Sequence, residues 1–92
     1  MEISWNNEKD EAKQRQFPGL SFELVATEIL EGRFTYGFKK SNKSEKVIIV
    51  ELPWNGERKY PIQVAFVIDK ELSESGEIRI FLKTFFPNRY LK

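Results

Sequence analysis

At Arg33 the spacing of apolar residues changes period. Before it, "LSFELVATEILEG" places Phe22, Val25, Ala26, Ile29 and Leu30 three or four residues apart, the spacing of one helix face. After it, "RFTYGFK" places Phe34, Tyr36 and Phe38 two apart, and a strand period continues toward the end of the chain. Helical segments followed by a run of strands bury both kinds of apolar face when the helices lie on one side of an antiparallel sheet. With 92 residues there is room for one domain, residues 1–92, and one core.

The elements can be laid out in order. "EISW" alternates, with Ile3 and Trp5 to one side, and reads as a short first strand. "NNEKDEAKQRQ" reads as a helix. Asn6 or Asn7 supplies the cap, Glu8, Asp10 and Glu11 sit near the positive end of the dipole, and Lys13 and Arg15 follow. Its apolar stripe is thin, only Ala12 with Trp5 and Phe17, so this helix belongs on the surface. Pro18 and Gly19 break it. The second helix starts at a Ser21 cap and stops at Gly32. "KVIIVELPW" is apolar on both sides, as a central strand would be. Asn55–Gly56 is a hairpin signal. "YPIQVAFVID" alternates again, with Pro61 expected at its start because proline donates no ladder hydrogen bond. "EIRIFLKTFF" closes the set. The expected fold class is α+β: a short N-terminal strand, two helices, then an antiparallel sheet of about four strands with the helices over one face.

Composition narrows the chemistry. The chain has no cysteine and no histidine. Disulfides and thiolate metal sites are excluded, and so are the commonest neutral-pH acid–base group and the usual triads. Neither a metal nor a cofactor is expected. No stretch is long and apolar enough to cross a bilayer, and the acidic, polar N-terminus is unlike a secretory signal, so the expectation is a cytoplasmic protein with no membrane partner. The net charge of +1 conceals a division. Residues 1–31 hold three bases and seven acids, whereas residues 33–92 hold twelve bases and seven acids. That asymmetry points to an anionic partner for the second part.

The closing segment "GEIRIFLKTFFPNRYLK" concentrates the signal. Strand alternation assigns Ile78, Ile80, Leu82 and Thr84 to one face and Arg79, Phe81, Lys83 and Phe85 to the other. The apolar set would face the helices. The second set, cation and ring in turn, would stand on the uncovered face, followed by Arg89, Tyr90 and Lys92 beyond Pro87. Cations neutralise phosphates and rings stack on unpaired bases, at roughly 1–3 kcal/mol for each base. The same pattern also suits a strand that carries lysine and arginine for solubility, with Phe81 and Phe85 packed under the tail. Arg58, after the Asn55–Gly56 turn, either reaches the same face or is a solvated turn arginine. Lys39, Lys40, Lys43 and Lys46 form a second basic group in what reads as a soluble turn. Trp5 and Trp54 read as packing residues, and Glu23, Glu28 and Glu31 as a solvated helix face.

Three segments resemble a known family. "WNNEK" at Trp5–Lys9 resembles the W-D-x-x-K opening of the BrnT toxins. "FPGLSFELVA" resembles their H-G-V-S-F segment at the second helix. "GEIRI" resembles their G-x-x-I-R-I-I-S strand, and the order β-α-α-β-β-β agrees. The resemblance implies a RelE-like fold and a ribonuclease toxin of a type II toxin–antitoxin module, neutralised by a protein antitoxin that covers the toxic surface. Lys9 and Arg79 match the lysine and arginine of the family motifs. The family's histidine is replaced by Phe17, with Pro18 inserted before Gly19, and its I-I-S-A-R run is Phe81-Leu82-Lys83-Thr84-Phe85 here.

For such an enzyme, a metal-independent endoribonuclease, the RNA 2′-hydroxyl attacks the adjacent phosphorus. The protein must accept one proton, deliver another and stabilise the charged phosphorane. Arg79 is the candidate for the phosphate, Lys83 for proton transfer beside Arg79 and Arg89, and Arg89 for charge stabilisation. Phe81, Phe85, Tyr90 and Arg58 are the candidate RNA contacts. Two alternatives stand beside this reading: a non-catalytic RNA- or protein-binding module on the same fold, and a homodimer that buries the open sheet face.

Overall fold

The computed structural model describes residues 2–36, 45–68 and 77–87. Phe38, Lys39, Lys40, Lys43, Arg89, Tyr90 and Lys92 lie outside those residues. The elements are β1 (Glu2–Ser4), α1 (Asn7–Gln16), α2 (Phe22–Leu30), β2 (Thr35–Tyr36), β3 (Lys46–Trp54), β4 (Glu57–Ile68) and β5 (Arg79–Pro87). The α+β expectation holds. The strands form one sheet in the order β1-β5-β4-β3-β2. Four of them run antiparallel, and β1 adds at the edge parallel to β5, with Ile3 opposite Ile80.

Local chemistry sets the helix limits. Asn6 caps α1, its side-chain oxygen accepting from the Lys9 amide at 3.0 Å. No residue of α1 is buried, as its thin stripe implies. Ser21 caps α2 by accepting from the Leu24 amide at 3.3 Å. Asp10 ties the two helices together, because its carboxylate accepts the Phe22 amide at 3.0 Å, at the positive end of α2. At the other end Gly32 turns with φ of +74°. The Gly32 amide donates to the Ile29 carbonyl and the Arg33 amide to the Glu28 carbonyl, at 3.0 and 2.9 Å. These two bonds form a Schellman closure.

The core lies between α2 and the sheet. Leu20, Phe22, Val25, Ala26 and Ile29 meet Ile48, Val50 and Leu52 of β3, Ile62 and Val64 of β4, and Ile80, Leu82 and Phe85 of β5. Each fully buried side chain of this kind contributes about 1.5–3 kcal/mol of transfer free energy. Phe22 anchors it, with Trp5 stacked on one side at 6.1 Å and Phe85 edge-on at 4.8 Å.

Some expectations are corrected. Leu30 is exposed rather than part of the α2 stripe, and Ala12 is exposed too. Among the described residues, the strand read from 33 onward is paired at Thr35–Tyr36, at the sheet edge. Phe34 packs against the core while Tyr36 stands in solvent. Pro61 sits inside β4, opposite Glu51, and not at the strand's start. The next residue, Ile62, faces Pro87, the last described residue of β5. The Asn55–Gly56 hairpin is as expected: both residues have positive φ, +53° and +80°, which a two-residue I′ turn requires.

Candidate functional site: the open face of the sheet

The register of β5 decides which side chains reach the face away from the helices. Phe66 of β4 is opposite Leu82, but the preceding Ala65 is opposite Thr84. Lys83 is therefore an extra residue, a β-bulge, and the alternation changes phase there. Ile80 and Leu82 point into the core before the bulge, and Phe85 and Pro87 are buried after it. Phe81, Thr84 and Phe86 share the other face. The placement of Phe85 on the open face is thus wrong: its exposure is 0%, and Phe86 takes the outward position at 36%. A candidate RNA contact is lost from the site because simple alternation was carried through a bulge.

Arg79, Phe81 and Lys83 do reach the open side, but the cations have company. Arg79 Nε lies 2.9 Å from a Glu2 carboxylate oxygen, on the neighbouring β1. Lys83 Nζ lies 2.6 Å from Glu45. Glu45 immediately precedes β3, in phase with Val47 and Ile49, so this pair spans β4 across the open face. Lys83, expected beside the cations Arg79 and Arg89, has a carboxylate as its described contact. Arg58 is exposed near the start of β4, whereas Arg79 follows the level of Ile68, at the strand's far end. Ten residues of strand at about 3.3 Å each separate those levels. The structure does not bring Arg58 to the site.

Apart from the ion pairs the face is largely apolar, with Gln63 and Thr84 among its polar positions. Val47 is 8% exposed yet belongs to no part of the core cluster, since it lies on the opposite side of the sheet. Ile49, Ala65 and Val67 are half-buried beside it, and Phe81 and Phe86 are exposed. The sequence signal for this was "KVIIVELPW", apolar on both sides. Glu2 and Glu45 carried no signal, because only the strand register brings them to Arg79 and Lys83.

A separate ion group closes the C-terminal end of α2. Arg33 donates to both carboxylate oxygens of Glu28, at 2.9 and 3.0 Å, and also to Glu31. The Arg33 hydrogen bond holds the Glu28 carboxyl below its ordinary range. On α1, Lys13 reaches over the rings of Phe17 and Phe85, at 5.4 and 5.8 Å from their centres. Burial there lowers its pKa. Among the described residues no cluster of carboxylates has the makings of a metal site, and no helix is long and apolar enough to cross a membrane. Comparison with protein families, characterised proteins and solved structures finds no match.

Proposed function

We propose that this chain is a RelE/BrnT-like ribonuclease toxin of a type II toxin–antitoxin module. It acts in the cytoplasm on RNA at the open face of β5, with a protein antitoxin as its partner. The observation that carries the reading is the meeting of the three family-like segments in space. Trp5 of "WNNEK" stacks on Phe22 of "FPGLSFELVA". The strand just before Trp5 pairs with "GEIRI", Glu2 opposite Arg79 and Ile3 opposite Ile80. The three segments, spread from Trp5 to Ile80 along the chain, thus lie next to one another, which supports the reading. The element order β-α-α followed by strands also supports it.

In this reading Arg79 grips the scissile phosphate and Lys83 moves a proton, with Arg89 adding charge and Tyr90 and Phe81 stacking bases. Arg79 must exchange Glu2 for the phosphate, and Lys83 must leave Glu45. Both contacts are partly exposed, and surface ion pairs of that kind are worth about 0–1 kcal/mol, so a phosphodiester can displace them. Induced expression in bacteria tests the reading. Wild type is expected to arrest growth and fragment mRNA, and an equally soluble Arg79→Ala, Lys83→Ala double variant to do neither. Normal growth with abundant folded wild type and intact mRNA would overturn it.

A second reading, a non-catalytic binding module on the same fold, is favoured by the ion pairs themselves. A face whose two described cations are matched by carboxylates and whose other side chains are largely apolar also suits a partner without phosphates.

A further inference from the structure

The side of α1 that meets the body of the protein is polar. Asp10 and Lys13, one turn apart, are its half-buried positions, and the rest of the helix, Ala12 included, is exposed. Burial of apolar surface therefore does little to hold α1 in place, and a ten-residue helix is marginal on its own in water. Its two flanks are different. Trp5 before it stacks on Phe22, and Phe17 after it meets Trp54 edge-on, each pair at 6.1 Å. Both flanking residues pack against the core. The chain is thus pinned by a ring at each end of a helix that adds no buried residue to the core. We propose that α1 is a strap: it unwinds as one unit between those rings while α2 and the sheet stay folded, and the Asp10 carboxylate is the latch that keeps it wound.

Asp10 suits that role by where its two oxygens go. One accepts the Phe22 amide, the first of α2, at 3.0 Å, and the other accepts the Gln14 side-chain amide, one turn further along α1, at 3.1 Å. A single side chain so joins a bond within the strap to a bond outside it. The Ser21 hydroxyl is already used on the Leu24 amide, so without Asp10 the Phe22 amide is left to water. A hydrogen bond to a carboxylate is stronger than a neutral one. Lys13 is the weaker fastening, since an ammonium over the rings of Phe17 and Phe85 gives up little when it moves into water. Unwinding frees the Phe22 amide and withdraws Lys13 from Phe85. It leaves β1 on β5, because the bond from the Glu2 amide to the Ile78 carbonyl lies ahead of the strap. The opening is local and keeps the core cluster whole, which distinguishes it from global unfolding. The inference does not rest on the ribonuclease reading.

Native-state amide exchange of the full chain, followed by NMR at several urea concentrations below the unfolding transition, tests the proposal. The hydrogen-bonded amides of α1 are expected to exchange together, about thirtyfold or more faster than those of α2 and β4, with little dependence on urea. Asp10→Ala is expected to speed exchange in α1 about tenfold or more, and Asp10→Asn, which keeps an acceptor oxygen, by less. Glu11→Ala, at an exposed position of the same helix, is expected to change it by no more than about threefold. Exchange of α1 at the rate of α2 and β4, with the same urea dependence, would overturn the strap. Exchange no faster in Asp10→Ala than in Glu11→Ala would overturn the latch. An Asp10→Ala chain that loses its whole fold would overturn the inference too, because a strap can be lost without the core.

Discussion

Phe85 and Phe86 are adjacent and identical, and the fold uses them in opposite ways. Phe85 lies at 0% exposure with its ring edge-on to Phe22, whereas Phe86 stands on the open face. Phe85→Ala is expected to cost about 3–5 kcal/mol, the range for deleting a buried aromatic ring. Phe86→Ala is expected to stay within about 1 kcal/mol of wild type. Urea unfolding of the two variants measures both, and similar losses would mean that the phase change at Lys83 is wrong. None of this was legible in "LKTFF". No glycine or other backbone signal marks the bulge, so regular alternation through position 83 was the natural reading. The acids opposite Arg79 and Lys83 were illegible for a related reason. Ion pairs between strands depend on register, and register is set by pairing partners distant in the chain.

Elements fare differently according to whether their limits are local. The Asn6 and Ser21 caps, the Gly32 stop and the Asn55–Gly56 turn were all readable because each depends on the chemistry of a few consecutive residues. The start of β2 at Thr35 was not, since pairing at a sheet edge is decided by the one neighbouring strand. The end of α2 adds a pH dependence. Glu28 is held below its ordinary carboxyl range mainly by the hydrogen bond from Arg33. A carboxyl depressed in the folded state stabilises above its unfolded value, and the stabilisation is lost as pH falls through the folded value. Wild type should therefore melt higher than Glu28→Gln near about pH 7, and the gap should close toward about pH 2–3. Thermal melts at both pH values measure it, and a gap that does not change with pH would remove Arg33 from the explanation.

For the whole molecule, the defining contact is that between its first strand and its last described one. The Glu2 amide donates to the Ile78 carbonyl at 2.8 Å, and Ile3 is opposite Ile80. Closing so long a stretch of chain has an entropic cost that local contacts do not share, so β1 is expected to dock late in folding. Ile3→Ala should cost about 1–2 kcal/mol for this half-buried side chain, with nearly all of the change in a faster unfolding rate. Stopped-flow kinetics separates the limbs, and slower refolding with unchanged unfolding would show β1 in the folding nucleus. The bulge of β5 has a further meaning at this scale. If Lys83 is struck from the string, Ile80, Leu82, Phe85 and Pro87 fall into regular alternation with the same inward set. The core thus places no demand on the presence of residue 83, and β5 can be spelled without it. Lys83 is a parenthesis in the strand: removable without changing the grammar of the fold, and standing on the surface where a partner would read it.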